Sequence, residues 1–281
     1  MSAQRKRKII NAIVLGLSTM AALIGIAFLF WILGALLFRG LSAISISTFT
    51  NTGVPPGIPG GGLKQAIIGH IMLVGTAMAI GIPVGMLAGT YLSEYANESK
   101  VSNFLRDLSD IMMSAPSIVI GIFVYGIFVA PMHHFSGWAG SIALALLAIP
   151  VLLRTTDDML RLVPQTLREA AYALGAPKWK VIFQVVYKGA AVGLLTGILL
   201  GVARIAGETA PLLFTAFNNN FLSYDMSHSM ASITVTMFNY AASPYEDWQS
   251  LGWAAATILT FTVLFINVLS RMIMKLRNKG K

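Results

Sequence analysis

The sequence contains no cysteine and few charged residues, and these two shortages exclude several classes of protein. Of its 281 residues, 11% are charged and 56% are hydrophobic, and the mean hydropathy is +0.73. A soluble domain carries about 25% charged residues, so a soluble enzyme and a soluble DNA-binding protein are both excluded. Without cysteine there is no disulfide, thiol nucleophile or thiolate metal site, and the four histidines lack metal-ligand spacing. The composition indicates a membrane protein.

Six stretches of the chain are apolar and long enough to suggest membrane spans, since a bilayer core needs about 20 mostly apolar residues per helix. We expect an all-α, polytopic membrane protein with six transmembrane helices in a single domain over residues 1–281. The first apolar stretch follows a basic cluster but is about twice as long as that of a signal peptide, so it should remain attached. The spans are predicted at about 9–38, 66–92, 111–131, 137–153, 189–217 and 251–274.

Lysine and arginine are distributed unevenly between the two sides of the predicted bundle. Seventeen of the 20 lie on one side, whereas only Arg39 and Lys64 lie on the other. The positive-inside rule therefore places both termini in the cytoplasm, and topology accounts for the net charge of +9 without nucleic acid. Two outer segments follow: 51–62, rich in proline and glycine, and 218–250, which has no Lys or Arg and is interpreted as a surface cap.

The predicted cytoplasmic loop between spans 4 and 5, residues 154–188, is the longest on that side and carries signals for two short helices. Gly175, followed by Pro177, is expected to end the first of them. Such a hinged pair can dock on a partner, or it can lie on the membrane or on its own bundle. A narrow apolar face recurs at helical spacing in the first helix: Leu167, Ala170, Ala171 and Leu174.

Span 5 combines a ridge of small residues with two charged residues inside the membrane. Arg204 and Glu208 are four residues apart on the same broad face as this ridge, so we expect them to pair inside the bundle. The pair could be purely structural, but an intramembrane ion pair is by default a functional candidate. Glycines that allow close helix approach recur at every fourth position in span 5, at Gly189, Gly193, Gly197 and Gly201, and in span 2, at Gly81, Gly85 and Gly89.

Arg204 suits a tetrahedral oxyanion, because its planar guanidinium donates two parallel hydrogen bonds and stays charged at physiological pH. Gly207 and Pro211 should loosen the helix there and free backbone groups to line a polar cavity. Glu208 would compete with the anion and keep the site weak enough for release. The histidines at positions 70, 133 and 134 are interpreted as packing or loop residues.

Several segments resemble those of known transport permeases. Glu169-Ala170-Ala171, three residues and Gly175 are similar to the EAA loop of binding-protein-dependent ABC importer permeases, whose coupling helices sit in a cleft on a cytoplasmic ATPase. Beyond this core the pattern departs, with Val185, Tyr187 and Lys188 where the family continues toward I-x-L-P. From about residue 60 to the end of span 6, several stretches resemble the permease subunits of bacterial phosphate-specific ABC importers, among them RIAGETAPLLFTAF, DIMMSAPSIVIGIFVYGIFV and REAAYALGAPKWK.

The resemblance implies a role in phosphate passage for Arg204 and Arg154, although an arginine at a helix end is also a common interfacial anchor. The candidate pathway residues are therefore Arg204, Glu208, Thr209 and Arg154. The candidate ATPase-coupling residues are Glu169, Ala170, Ala171, Leu174 and Gly175.

The chain has no G-x-x-x-x-G-K-S/T motif, so we expect no catalysis and no cofactor or metal on it. The resemblance implies that ATP and Mg²⁺ are bound by a separate dimeric cytoplasmic ATPase. It also implies that this chain lies in the bacterial inner membrane. It further implies a homologous permease subunit, a periplasmic or extracellular phosphate-binding protein, inorganic phosphate and membrane lipid as partners. A permease for sulfate or molybdate remains an alternative, as does a gradient-driven anion transporter or channel.

Overall fold

The computed structural model describes residues 3–58, 60–96 and 99–278. Within them the chain is helical and contains no β-strand, which confirms the all-α class. The two chain ends, whose cytoplasmic location the charges predict, and part of the predicted outer loop at 51–62 lie outside the described residues. Five helices are long and apolar enough to cross a membrane: span 1 (Ala3–Ala43), span 2 (Lys64–Glu94), span 4 (Gly137–Arg161), span 5 (Lys178–Ala206) and span 6 (Glu246–Asn278).

A sixth crossing is available through two helices bent by 101° relative to each other, Lys100–Ser114 and Ser117–Met132. The predicted start of span 3 at residue 111 is therefore wrong, because residues 111–114 complete the first of these helices. Pro116 explains the break: it has no backbone N–H and forces the preceding residue into an extended conformation. We keep the name span 3 for Ser117–Met132.

Spans 4 and 5 also end differently from the prediction. Span 4 continues as a helix to Arg161, since residues 154–161 contain neither glycine nor proline to stop it. Span 5 begins at Lys178, directly from the second helix of the loop, and ends at Ala206 instead of residue 217. Residues 207–209 are not helical, and a separate short helix follows at Ala210–Thr215. The break lies where the sequence places a glycine and a proline close together.

Both glycine ridges pack against span 4, which lies between spans 2 and 5. A Cβ added at Gly85 would lie 2.6 Å from the Cβ of Leu152, and one added at Gly89 would lie 2.5 Å from the carbonyl oxygen of Leu153. Three of the span 5 glycines approach the same helix: Gly193, Gly197 and Gly201 face Met159, Thr155 and Leu152, in that order. Gly189 faces Val163, just beyond the end of span 4. Spans 4 and 5 are therefore antiparallel and closely packed.

The outer segment 218–250, interpreted from the sequence as a surface cap, packs partly on protein. It contains the helix Ile233–Ala241, which is largely buried and packs on the outer parts of spans 2 and 6 through a cluster that includes Tyr240. Its polar side chains are satisfied inside the protein, because the Ser232 hydroxyl accepts from the N–H of Val235 and the Thr234 hydroxyl donates to the carbonyl of Glu208. A segment too polar for lipid can thus be buried in protein.

Candidate functional site

Arg204 lies in the last turn of span 5, and its side chain is exposed on the surface of the chain. The expectation that it points into the bundle is therefore wrong for this single chain. The neighbouring residues Ala203, Ile205 and Ala206 are buried instead, and Ile205 is fully so. Burying these apolar side chains is favourable, whereas burying an unpaired guanidinium is costly, so the end of the helix turns Arg204 outward.

Arg204 and Glu208 do not form the expected ion pair. Of the ion pairs within 4.0 Å in the described part of the chain, none joins these two residues. Pairing at i and i+4 requires an unbroken helix, and span 5 ends between them. Glu208 is half-buried and its backbone carbonyl accepts a hydrogen bond from Thr234 Oγ1 at 3.0 Å. Thr209 is also half-buried and precedes the next helix. Arg204, Glu208 and Thr209 therefore all lie beside the same helix break but do not pair with one another.

Arg154 lies within span 4 and not beyond its end. Its Nε atom is 3.7 Å from a carboxylate oxygen of Asp158, and the two side chains are 40% and 52% exposed, so this pair contributes little stability. Because Gly201 faces Leu152 and Gly197 faces Thr155 in the antiparallel register, Arg154 and Arg204 are separated by about 8 Å along the helix axes. The structure therefore places the two candidate cations at different depths of the bundle.

The histidines are divided between the core and the loops. His70 is buried in span 2 with 7% exposure, and neither ring nitrogen has a hydrogen-bond partner within the described residues. His133 is exposed and ends span 3 with a φ of 57°. The ring of His134 lies 5.7 Å from that of His228 in the outer segment. These positions fit packing and loop roles.

The first helix of the loop between spans 4 and 5 spans Gln165–Ala173, and we call it the coupling helix. Pro164 precedes it, and Gly175 follows it with a φ of +77°, in the left-handed region that favours glycine. The N–H of Ala176 donates to the carbonyl of Ala171 at 3.2 Å and closes the helix. The predicted end of this helix at Gly175 is confirmed.

The coupling helix and its flanks present large apolar side chains to the surface. Leu174 is 89% exposed and Leu162 is 73% exposed, and Glu169 and Ala170 are also exposed. Ala171 was expected on the same face, but it is half-buried and packs against the cluster around Leu160 and Val181 of its own chain. The surface that can contact a partner is therefore centred on residues 167, 170 and 174.

A buried ion pair anchors the coupling helix to the end of span 2. Arg168 Nη2 lies 2.8 Å from Glu94 Oε1, and these side chains are only 10% and 6% exposed. The guanidinium also donates to the backbone carbonyls of Leu160 and Val163. Arg168 and Glu94 are among the residues that line a polar groove of about 320 Å³ beside the coupling helix. The position of the coupling helix is thus fixed by one ion pair to the end of span 2 and by hydrogen bonds to backbone carbonyls near the end of span 4.

A second buried charge, Asp157 of span 4, ties the neighbouring segments together. It accepts from Arg106 Nε at 3.0 Å and from Arg161 Nε at 2.7 Å. Arg106 also donates to the carbonyl of Leu92 at the end of span 2. Sequence reasoning missed this network, although the spacing of Asp157 and Arg161 by four residues is a visible signal for one of its pairs.

A helical membrane bundle with an exposed loop helix and a charged break in one span fits the class of transport permeases. The family model of binding-protein-dependent transport system inner membrane components matches residues 81–280, and the chain belongs to this family. It is a multi-pass inner-membrane protein. These family properties agree with the permease class that the sequence predicted.

Curated relatives with high identity are phosphate permeases. The phosphate transport system permease protein PstA of Haemophilus influenzae is 51% identical over 266 residues, which cover 95% of this chain and 94% of that protein. PstA 1 of Mycobacterium tuberculosis strain H37Rv is 34% identical over 273 residues, which cover 95% and 88%. The sequence-based resemblance to phosphate-specific permeases is confirmed.

Among solved structures, a chain of the MetNI methionine ABC transporter in an inward-facing conformation is similar in fold. The TM-score is 0.62 and the identity 16%, with 76% of this chain and 95% of that chain covered. This likeness supports the helix arrangement of an ABC importer permease.

Proposed function

We propose that this chain is the transmembrane permease subunit of an ATP-driven importer and forms, with a homologous PstC-like subunit, the pathway for inorganic phosphate. The observation that carries this proposal is the identity to PstA proteins along nearly the whole chain. The surface position of Arg204 supports it, because a residue exposed in one subunit can line a pathway formed between two.

The break in span 5 has the chemistry that transient phosphate binding requires. Arg204 can donate two parallel hydrogen bonds to a tetrahedral oxyanion, and the Thr209 hydroxyl can donate a third. Glu208, on the same break, repels the anion and keeps its residence short. Arg154, deeper along span 4, offers a second cation at which the anion can pause. Binding first at Arg204 and then at Arg154 would convey phosphate along a surface to which spans 4 and 5 both contribute.

The coupling helix would dock on a dimeric PstB-like ATPase, which binds ATP and Mg²⁺, so hydrolysis takes place on that partner and not on this chain. Its exposed residues Glu169, Ala170 and Leu174 form the contact surface, and Gly175 sets the angle to the next helix. A PstS-like phosphate-binding protein would deliver the anion at the outer face. This arrangement requires both termini in the cytoplasm, as the charge distribution predicts.

Uptake of radiolabelled phosphate by cells that depend on this chain and its partner subunits tests the proposal. We expect saturable uptake that an excess of unlabelled phosphate suppresses and an excess of sulfate or molybdate leaves unchanged. Suppression by sulfate or molybdate would favour the alternative oxyanion permease. An uncoupler should leave uptake intact while cellular ATP is maintained, and loss of uptake under that condition would favour a gradient-driven transporter.

A further inference from the structure

The helix Lys100–Ser114 has three distinct sides. Taking about 100° per residue, its buried side holds Ser102, Leu105, Arg106 and Ser109, which face the protein. A second side is exposed and polar, with Lys100, Asn103, Asp107 and Asp110. The third side is exposed and apolar, with Val101 at 57%, Phe104 at 64%, Leu108 at 40% and Ile111 at 64% exposure. An exposed apolar side would be unfavourable if the whole outer surface of this helix faced water.

The protein-facing side fixes the helix at the ends of two spans. Arg106 donates to the carbonyl of Leu92 and to the carboxylate of Asp157, and the Ser109 hydroxyl donates to the carbonyl of Pro150. Leu105 packs on a cluster formed by Leu92 and its neighbours. The helix therefore lies at the level where spans 2 and 4 approach the membrane surface.

Its direction is set by the bend at Pro116. The helix is inclined by 101° to the following segment, Ser117–Met132, and that segment contains no charged residue and can therefore enter the membrane. A helix nearly perpendicular to a span runs nearly parallel to the membrane surface. At that depth, an apolar side next to a polar side matches the boundary between acyl chains and water.

We propose that Lys100–Ser114 is an interfacial helix whose apolar side, Val101, Phe104, Leu108 and Ile111, lies in the lipid of the leaflet that spans 2 and 4 reach at this end. Lipid is favoured over a protein partner because the next helix along the chain, span 3, also exposes large apolar side chains, with Ile122 and Phe123 at 51% and 57% exposure. The four charged residues of the helix sum to zero. Apolar contact, and not attraction to anionic headgroups, would hold it in place.

The absence of native cysteine allows nitroxide labels at single introduced cysteines. The full chain, co-purified with its partner subunits, is reconstituted in phosphatidylcholine vesicles and labelled in turn at each apolar position and at Asn103, Asp107 and Asp110. Collision with oxygen reports exposure to lipid, and collision with a water-soluble nickel chelate reports exposure to water. Phe123 of span 3 serves as the lipid reference, and Asp225 of the outer segment, whose side chain is 56% exposed, serves as the water reference.

We expect the four apolar positions to match Phe123, with high oxygen and low nickel accessibility, and the three polar positions to match Asp225. Addition of phosphatidylglycerol should leave this pattern unchanged. High nickel accessibility at the apolar positions would overturn the proposal, because that side would face water. Low accessibility to both reagents would also overturn it, because a protein subunit would then cover the surface. Insertion that depends on phosphatidylglycerol would contradict the apolar basis of binding.

Discussion

The buried pair of Arg168 and Glu94 should decide whether the coupling helix keeps its position. The change Arg168→Met retains most of the apolar stem but removes the guanidinium and its bonds to Glu94, Leu160 and Val163. It leaves the Glu94 carboxylate, only 6% exposed, without its counter-ion. We therefore expect the coupling helix to detach locally from the end of span 2, while the rest of the bundle stays folded.

The cost of this change can be estimated from the burial of the pair. Removing one partner of a buried ion pair costs about 3 to 5 kcal/mol, and about 1.4 kcal/mol corresponds to a tenfold change in an equilibrium. The population in which the coupling helix is open should thus rise by roughly two to three and a half orders of magnitude. Arg161→Met is the matched control, since Arg161 is 48% exposed and its partner Asp157 keeps Arg106. That change should cost at most about 1 kcal/mol.

Amide hydrogen exchange across residues 165–173 of the purified protein measures this opening directly. Exchange should accelerate strongly in Arg168→Met and only slightly in Arg161→Met, with spans 2 and 4 unchanged in both. Adding Glu94→Met to Arg168→Met should restore part of the protection, because it removes the unpaired charge. Equal protection in Arg168→Met and the unchanged chain would refute the reasoning that this pair holds the coupling helix.

Three further predictions concern docking, packing and topology. Gly175→Asp should abolish co-purification with the ATPase, because it places a Cβ at a left-handed φ of +77° and a negative charge beside the contact surface. Gly175→Asn adds no charge and should retain most of the co-purification, and normal co-purification of Gly175→Asp would contradict the docking explanation. Gly89→Ala should lower the amount of chain in the membrane, since its Cβ would lie 2.5 Å from a span 4 carbonyl and such overpacking costs about 1 to 3 kcal/mol. Gly81→Ala is the control and should not lower it, because the added Cβ would lie 3.5 Å from its nearest neighbour. Equal levels of the two variants would argue against the packing explanation. A cysteine at Ile58 should react with an impermeant maleimide on intact cells and one at Leu174 only after lysis, and the reverse pattern would invert the topology.

The features that were predicted correctly are those with a local signal. Apolar length located the spans, and the four-residue spacing of small residues located the surfaces that pack against span 4. The end of the coupling helix followed from Gly175, because a glycine followed by a proline has a clear conformational meaning. These signals depend on a few neighbouring residues, so they can be recognised without knowledge of the tertiary structure.

The features that were missed depend on contacts distant in sequence or on the continuity of a helix. The apolar run of span 5 continues past Gly207, so composition concealed the break, and the expected pair of Arg204 and Glu208 depended on a helix that ends between them. Glu94 and Arg168 are 74 residues apart, and no pattern links them before the chain folds. The start of span 3 was placed too early because apolar residues of the preceding helix resemble the span that follows.

Phosphate uptake by chains altered at Arg204, divided by the amount of chain in the membrane, tests the central claim most directly. Arg204→Gln loses two charge-assisted hydrogen bonds of about 1.5 to 3 kcal/mol each, so uptake per chain should fall at least a hundredfold. Arg204→Lys keeps the charge without the planar fork and should retain partial uptake. Arg39→Gln is the control. It removes a cation that lies over the ring of Trp253, away from the break in span 5, and should transport normally. Normal uptake per chain in Arg204→Gln would contradict the proposal that phosphate passes by binding this arginine.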